Sequence, residues 1–401
     1  MKYCVLIIDG ASGWPLPRYG RRTCLEMART PNLDEMVNEG VLGLVRNVPP
    51  GMEASSACAC MSVLGYDPRV YYKGRSGIEA HSMGVPVDQG EVVLRCNLVS
   101  VSNGRMQSYC AGHISTEEAQ LLISALEEGL GDDDLHFYPG VSYRHLCKIV
   151  GHEDVLEAKC TPPHDIPGKP IEEHLPQGPG SDFLRNLMER SKLILQDHPV
   201  NKARCARGDV PATMAWLFWA SGRIPEMPSF RDIYSLGGAM TSGVDLLKGL
   251  ASMVDMTVLD IPGVTGGQDN DYSAQAVGAL EALGKHDMVV VHVEAPDEAG
   301  HEGHVEQKVE AIEMVDRDMV KRFQAWKEGP LRIMVLPDHP TPITLQTHVD
   351  DPVPFLLWGP GFSATGNNAY SETEAKYSGV YIEEGCTLMG RLVDGWQPAS
   401  R

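Results

Sequence analysis

Short apolar runs that lead into acidic residues recur in this sequence, and they restrict the fold more than any other feature. Three of these runs are YCVLIID, DMVVVHVE and LRIMVLP, and segments with helical periodicity separate them along the chain. Nearly continuous apolar runs of this length are typical of strands that are covered on both faces. The alternation of such strands with helices predicts an α/β fold with a largely parallel sheet.

The middle of the chain lacks this alternation. The helix predicted over ISTEEAQLLISALEEGL begins with Ser115 and Glu118 at the spacing of a capping box. A Pro- and Gly-rich passage, residues 161–181, precedes a second predicted helix, DFLRNLMERSKLILQ. We therefore expect residues 71–226 to form a smaller inserted α/β domain. The flanks, residues 1–70 and 227–401, would then form one discontinuous domain.

The composition limits the partners of the chain. Its formal net charge is −20 at pH 7, which disfavours nucleic acid and anionic membranes as partners. No stretch approaches the roughly 20 apolar residues of a membrane span, and the N-terminus does not resemble a signal peptide. We therefore expect a cytoplasmic protein. The ten cysteines form no C-x-x-C pair, so we interpret them mostly as buried free thiols.

Aspartates and histidines follow the predicted strands, where the ligands of parallel α/β sheets bind. Asp297 and His301 stand on one face of a helical turn, and Asp338 and His339 directly follow LRIMVLP. Each residue alone also fits a turn, a helix cap or a structural role. Three carboxylates and three imidazoles together suit two divalent ions of the Mn, Zn or Mg kind. The predicted ligands are Asp9, Asp297, His301, Asp338, His339 and His348.

The stretch PPGMEASSACACMSVLGYDP offers a nucleophile for such a site. Two ions can stabilise both the attacking and the leaving oxygen of a phosphoryl transfer, and a serine hydroxyl needs such activation. A serine at the start of the helix predicted here would face its amides, a setting that favours phosphate. Ser55 and Ser56 are adjacent, and the residues alone leave the choice between them open.

Many longer motifs of this chain resemble those of the cofactor-independent phosphoglycerate mutases of the archaeal type, in the alkaline phosphatase superfamily. The resemblance covers nearly the whole chain. It implies an alkaline-phosphatase-like, mostly parallel sheet with an inserted domain, and glycolytic interconversion of 3- and 2-phosphoglycerate through a phosphoserine. It also implies a small phosphorylated substrate and either a monomer or a homo-oligomer. The motifs include TPNLDEM, YYKGRSGIEAHSMGV, RCNLVSV, PHDIPGKPI, VHVEAPDEAGHEG, PDHPTP and THVDDPVPFLL.

The resemblance also implies roles for individual residues. It makes Ser56 the nucleophile and Asp165 a proton-transfer carboxylate. Mn²⁺ is the favoured metal, with Zn²⁺, Mg²⁺ or Co²⁺ as alternatives. One ion would be held by Asp9, Ser56, Asp338 and His339, and the other by Asp297, His301 and His348. The candidates for substrate anion contacts, all in the inserted domain, are Arg75, Arg95, Arg144 and His145.

The sequence departs from the family pattern just after the nucleophile. Where the family usually has an acidic residue and an asparagine, this chain has Ala57 and Cys60. The metal chemistry is compatible with these changes, but they leave the substrate open. The alternatives are a phosphotransferase acting on another small alcohol, such as a homoserine kinase, a plain phosphatase, or a metal-binding protein without turnover.

Overall fold

The computed structural model describes residues 1–396, which divide into two compact units. The first unit combines Met1–Tyr72 with the described chain from Glu226 onwards, and the second is Lys73–Pro225. The sequence prediction placed the inserted domain at residues 71–226.

The strands, in chain order, are β1 (Lys2–Ile8), β2 (Val41–Val45), β3 (Glu91–Ser102), β4 (Arg105–Ser108), β5 (Leu135–Tyr138), β6 (Arg144–Val150), β7 (Met214–Ser221), β8 (Gly238–Thr241), β9 (Thr257–Val258), β10 (Met288–Val293), β11 (Leu331–Leu336), β12 (Val353–Trp358) and β13 (Tyr381–Ile382).

The α-helices are α1 (Cys24–Met27), α2 (Pro31–Glu39), α3 (Ser56–Val63), α4 (Pro68–Tyr71), α5 (Arg75–Ser82), α6 (Thr116–Leu130), α7 (Ser181–Gln196), α8 (Pro199–Arg207), α9 (Phe230–Tyr234), α10 (Asp245–Met253), α11 (Tyr272–Ala282), α12 (Ala295–Glu302), α13 (Val305–Val315), α14 (Lys321–Gln324), α15 (Glu372–Ser378) and α16 (Leu388–Asp394). Short 3₁₀ turns lie at Pro17–Tyr19, Glu153–Glu157, Pro163–Asp165, Glu172–His174 and Gly385–Thr387.

The sheet of the first unit has the strand order β13-β2-β12-β11-β1-β10-β8-β9. Strand β1 lies inside it, parallel to both β10 and β11, and is buried from Tyr3 to Ile8. Only β12 runs against its neighbours, β11 and β2. The predicted α/β class with a largely parallel sheet is therefore confirmed. Burial on both faces explains the nearly continuous apolar sequence of β1.

The helical segment that begins at Val305 is interrupted in the structure. Helix α13 ends at Val315, and a π-helical segment, Asp316–Val320, separates it from α14. The buried carboxylate of Asp316 accepts hydrogen bonds from the Leu33 amide at 2.7 Å and from the Asn32 side chain at 2.7 Å. The contact with α2 thus accompanies a local widening of the helix, and the hydrophobic periodicity of the sequence carries no sign of it.

The second unit is built on an antiparallel sheet with the order β4-β3-β6-β5, and β7 pairs with the other edge of β3. Helices α6 and α7 contribute to its apolar core. The Ser115 side chain caps α6 by accepting from the Glu118 amide. The Glu118 carboxylate does not complete the predicted capping box, because it pairs with Arg204 and Arg207.

Two general features of the sequence can be compared with the structure. All ten cysteines lie in the described part of the chain and are free, and most are buried, with Cys205 exposed. Within residues 1–396, none of the helices has the length and apolarity needed to cross a membrane.

Candidate active site

The carboxyl ends of three neighbouring strands bring the predicted site residues together. In the parallel register, Ile8 of β1 lies opposite Val293 of β10, and Ile7 lies opposite Leu336 of β11. The residues that follow these strands therefore emerge at one edge of the sheet. They include Asp9, Glu294, Asp338 and His339, and the chain after β10 continues directly into α12, which carries Asp297 and His301.

Three of the predicted residues lie around the His339 ring, and together with His339 we call them the Asp9 set: Asp9, Ser56, Asp338 and His339. The Nε2 atom of His339 lies 3.3 Å from Asp338 Oδ2, 3.7 Å from Asp9 Oδ1 and 3.2 Å from Ser56 Oγ. Asp9, Asp338 and His339 are buried. Burial lowers the pKa of His339 to about 4 and keeps the ring neutral, as a metal ligand must be.

Asp297, His301 and His348 form a second cluster, the Asp297 set. The Nε2 atoms of His301 and His348 are 2.8 Å apart and lie 3.1 and 3.5 Å from Asp297 Oδ2. Their Nδ1 atoms face carbonyl oxygens, which only accept, at 3.0 Å on Gln346 and 3.1 Å on Ala54. In the neutral rings Nδ1 thus carries the proton, and both Nε2 lone pairs point toward the same carboxylate.

Charge in the Asp297 set is arranged to accept a cation. Burial alone would raise the pKa of Asp297, but the contacts with His301 and His348, whose Nε2 atoms share a proton when metal is absent, hold it well below its usual range. Burial would lower the pKa of His301, and Asp297 more than offsets this and raises it to about 9. Without metal, a proton between the rings relieves the repulsion of their lone pairs. A divalent ion at the same place would replace that proton.

The Asp9 carboxylate is held from one side only. Its Oδ2 accepts from His292 Nε2 at 2.7 Å, whereas the buried Oδ1 has no hydrogen-bond partner within residues 1–396. The other ring nitrogen of His292 lies 3.0 Å from Ser242 Oγ, which in turn accepts from the Val244 amide. Burial, followed by the charge of Asp338, raises the pKa of Asp9. A buried carboxylate with one free oxygen is suited to a cation.

These observations fit two divalent ions. Each set offers carboxylate oxygen and imidazole nitrogen ligands that lie within 4.8 Å of one another. Such mixed ligands suit Mn²⁺ or Zn²⁺, and carboxylate oxygens also suit Mg²⁺. Asp9, His292 and Glu294 are grouped equally closely. In this third group, however, the hydrogen bond from the His292 N–H to Asp9 explains the short distance between the two side chains without an ion.

The structure gives the two adjacent serines different surroundings. Ser55 is the N-cap of α3, and its hydroxyl accepts from the Cys58 amide at 3.4 Å and lies 3.3 Å from the Tyr72 hydroxyl. Ser56 is the first residue of the helix, and its hydroxyl faces His339. Only Ser56 thus belongs to the Asp9 set, in agreement with its choice from the family resemblance.

Cys60 lies one helical turn after Ser56 and faces the same site. Its Sγ is 3.6 Å from Asp338 Oδ2, and burial raises the pKa of the thiol well above its ordinary value. The thiol therefore stays protonated and donates to the carboxylate. This geometry does not favour Cys60 as a thiolate ligand of a metal ion.

The second unit contains a cluster of cationic side chains around Glu79. Its largely buried carboxylate accepts from Arg75 at 2.9 Å and from Arg95 at 2.7 and 2.5 Å. The guanidinium groups of Arg75 and Arg95 lie 4.7 and 5.9 Å from the ring centre of Trp219. Trp219 has φ of +54°, a conformation that is rare for a bulky residue and marks strain at functional positions.

His145 presents an unused donor beside this cluster. Its Nδ1 accepts from the Gly140 amide at 2.9 Å, so Nε2 carries the proton, and this buried atom has no hydrogen-bond partner among the described residues. Burial, followed by the charge of Arg95, lowers the pKa of His145 to about 3. The charge of Arg144 contributes in the same direction. His145 is therefore a neutral donor near cationic groups, which is an arrangement that suits an anionic oxygen.

Asp165 is exposed and ends a 3₁₀ turn in the same unit. Its neighbour His164 packs against the Trp219 ring at 5.6 Å between centroids, with Nε2 3.9 Å from Asp165 Oδ1. The structure thus connects Asp165 to the Arg75–Glu79–Arg95 cluster through two aromatic rings. Its proton-transfer role remains a prediction from the family resemblance.

Several residues of the site were not predicted from the sequence. Glu79 and Trp219 orient the arginines, and His292 holds Asp9. His292 had a detectable signal, because a histidine inside the apolar run VVVHV is unusual for a buried strand. Trp219 had no detectable sequence signal, because its backbone conformation arises at a register shift in the pairing of β3 with β7.

Residues 38–201 match the family model of 2,3-bisphosphoglycerate-independent phosphoglycerate mutase. A protein of that name from Methanosarcina barkeri is 44% identical over 398 residues, 98% of this chain and 99% of the relative. Another from Methanothrix thermoacetophila is 45% identical over 403 residues, 98% and 100% of the two chains. A solved Pyrococcus horikoshii protein superposes with a TM-score of 0.81 at 26% identity, covering 98% of this chain and 96% of that one. The solved cofactor-independent phosphoglycerate mutase of Thermoplasma acidophilum superposes with a TM-score of 0.64 at 25% identity. The match covers 98% of this chain and 99% of that one.

Proposed function

This chain belongs to the 2,3-bisphosphoglycerate-independent phosphoglycerate mutases, and we propose that it interconverts 3-phosphoglycerate and 2-phosphoglycerate through a phosphoserine at Ser56. The family identified from the sequence motifs is confirmed by these relatives. The reaction is an isomerisation that moves one phosphate between adjacent hydroxyl groups, and it is a step of glycolysis.

The placement of Ser56 is the observation that carries the proposal. Its hydroxyl lies 3.2 Å from His339 Nε2, within a ligand set that also contains Asp9 and Asp338. It also stands at the first position of α3, where free backbone amides and the helix dipole favour a negatively charged group. A phosphate attached to Ser56 would therefore be stabilised where it forms.

Two divalent ions held by the Asp9 set and the Asp297 set would supply electrophilic stabilisation of the phosphate and favour the ionised Ser56 hydroxyl. The protein itself keeps the ligands in the required state. Asp9 is fixed by His292, and the rings of His301 and His348 are fixed by two backbone carbonyls. Such partners of metal ligands set their orientation and their protonation.

The chemistry then proceeds in two balanced steps. In the first, Ser56 Oγ loses its proton and bonds to phosphorus, while the bond from phosphorus to the substrate O3 breaks and O3 takes up a proton. In the second, O2 of the glycerate loses its proton and bonds to the same phosphorus, while the bond from phosphorus to Oγ breaks and Oγ takes a proton back. Asp165 is our candidate for moving the proton between O3 and O2. No phosphate is lost to water in either step.

The cationic cluster of the second unit is our candidate for binding the substrate anion. Glu79 compensates one positive charge of Arg75 and Arg95, which leaves a net positive cluster, and Arg144 adds another cation. His145 contributes a neutral N–H donor. A carboxylate or phosphate oxygen would give that donor the partner that it lacks.

Phosphorus NMR tests the reaction. Metal-loaded protein is incubated with 3-phosphoglycerate in the absence of bisphosphoglycerate, and 2-phosphoglycerate is expected to accumulate. A parallel incubation with ATP and homoserine tests the alternative transfer. Release of inorganic phosphate alone would identify a hydrolase instead. Acid quenching and mass spectrometry would place the phosphoryl group, and its recovery on Ser55 would contradict the assigned nucleophile.

Three finer points belong to this proposal. Mn²⁺ is our preferred metal over Zn²⁺, Mg²⁺ or Co²⁺, because oxygen and imidazole ligands dominate both sets. A monomer or a homo-oligomer is compatible with the chain, and a cytoplasmic location remains our expectation.

A further inference from the structure

Thr341 lies between the two ligand sets and contacts both. Its hydroxyl donates to Asp297 Oδ1 of the Asp297 set, and it lies 3.4 Å from Nδ1 of His339 in the Asp9 set. A hydroxyl has one proton to donate, and an ionised carboxylate can only accept. The bond to His339 must therefore be one in which the ring N–H donates to the threonine oxygen.

This direction of bonding has consequences for both sets. With its proton on Nδ1, His339 presents the Nε2 lone pair to Asp9, Ser56 and Asp338, which is the form a metal ligand needs. At the same time, Asp297 Oδ1 is occupied by the threonine hydroxyl, which leaves Oδ2 facing His301 and His348. One hydroxyl thus orients a ligand in each set.

Every polar atom of Thr341 has a partner, and its backbone is fixed. Its amide donates to Ser12 O at 3.1 Å, and its carbonyl accepts from the buried Lys308 Nζ at 2.7 Å. The same ammonium group donates to Ser12 O at 3.2 Å. The loops that follow β1 and β11 are therefore joined beneath the site, and Thr341 cannot shift without breaking buried hydrogen bonds.

Close packing restricts the side chain as well. A Cβ added to Gly300 would lie 2.9 Å from Thr341 Cγ2, and one added to Gly10 would lie 2.7 Å from Oγ1 and 2.3 Å from Asp297 Oδ1. Gly10 also has φ of +59°, where a side chain would be strained. The two glycines leave space for the threonine methyl and hydroxyl only in their present places, so the rotamer is set by packing.

We propose that Thr341 is a positioning residue that couples the two ligand sets, so that loss of its hydroxyl weakens the binding of both ions. This inference rests on the proposed function, because it requires both sets to bind metal. It concerns a residue that is itself neither a ligand nor a nucleophile. The coupling passes through one side chain, because the hydroxyl can satisfy both neighbours only in the direction His339 to Thr341 to Asp297.

The test measures metal binding directly. Mn²⁺ is titrated into the metal-free full-length chain, and free Mn²⁺ is followed by electron paramagnetic resonance. Thr341→Val keeps the shape and removes the hydroxyl, whereas Thr341→Ser keeps the hydroxyl and removes the methyl. We expect the valine variant to lose about 10- to 100-fold in affinity at both sites, as for other partners of metal ligands, and the serine variant to stay close to the unmodified chain.

Ser242→Ala is the matched control, because the Ser242 hydroxyl contacts His292, on the Asp9 side, and the Val244 amide. This variant should weaken the binding of one ion and leave the binding of the other unchanged. If Thr341→Val weakens the binding of only one ion, or of neither, the coupling is overturned. If circular dichroism shows that the valine variant does not fold, Thr341→Ala and Thr341→Ser are compared instead. Equal affinities in that pair would also reject the role of the hydroxyl.

The same titration separates this inference from the proposed function. An unmodified chain that binds no Mn²⁺ would contradict the metal-dependent reaction and the coupling together. An unmodified chain that binds two ions, with a valine variant that binds both equally well, would overturn the coupling alone.

Discussion

The Nε2 atoms of His301 and His348 face each other at 2.8 Å, while both Nδ1 atoms donate to backbone carbonyls. Two neutral rings in this arrangement repel each other unless a cation lies between them. Without metal a proton occupies this place, and a divalent ion would replace it between ligands that are already oriented.

Removal of metal should lower the thermal stability of the protein, and Mn²⁺ should restore it. A ligand at about 100 times its Kd stabilises the folded state by about 2.7 kcal/mol per site. The melting temperature is measured by calorimetry after chelation and again after addition of Mn²⁺. In His348→Gln, the addition of Mn²⁺ should raise the melting temperature by only part of this amount. A melting temperature that is independent of metal would show that these side chains form a structural cluster.

Ser55 and Ser56 should respond differently to substitution by alanine. Ser56→Ala should abolish both the mutase reaction and the phosphorylated intermediate, because it removes the attacking oxygen. Ser55→Ala should keep the reaction and lose about 1 kcal/mol of unfolding free energy, as expected for a helix without its N-cap. Single-turnover phosphorylation and urea unfolding of both variants make the comparison. Loss of phosphorylation in Ser55→Ala with a normal Ser56 would reverse the assignment.

His145 offers a matched pair of variants for substrate binding. His145→Gln can place an amide N–H near the position of Nε2, whereas His145→Asn keeps an acceptor for the Gly140 amide and lacks that donor. If Nε2–H binds a substrate anion, the asparagine variant should raise KM by about 10- to 100-fold, equivalent to 1.5–3 kcal/mol for a hydrogen bond to a charged group. The KM of the glutamine variant should be closer to that of the unmodified enzyme. Equal KM values in all three proteins would exclude the contact.

His145 should also contribute to the loss of stability in acid. Its pKa is about 3 in the folded chain, because burial and then Arg95 lower it, and about 6.5 in the unfolded chain. Between these values the unfolded chain binds a proton that the folded chain does not. Stability is therefore complete above about pH 6.5 and falls as the pH approaches 3, by up to about 1.4 kcal/mol per pH unit.

Urea unfolding between pH 4 and 7 checks this pH dependence. The asparagine variant lacks the titrating ring, so its unfolding free energy should fall less steeply with acid than that of the unmodified chain. Parallel pH profiles for the two proteins would mean that His145 titrates at its ordinary pKa in the folded state.

The amino-acid sequence by itself was sufficient to predict the parallel sheet and the family. Burial on both faces requires continuous apolar strands such as β1, and polar residues at the ends of parallel strands must meet at one edge of the sheet. Asp9, Asp338 and His339 could be grouped on these grounds, and the relatives confirm the family that the longer motifs indicated.

Only the tertiary structure decided how the site residues are held. The direction of a hydrogen bond depends on which atoms meet across distant segments of the chain. The hydrophobic periodicity of the sequence does not predict it. The placement of Ser55 as a helix cap, the donation by the Cys60 thiol to Asp338 and the strained Trp219 arise in this way. The same holds for Thr341, because its one proton can be assigned only when both of its neighbours are known.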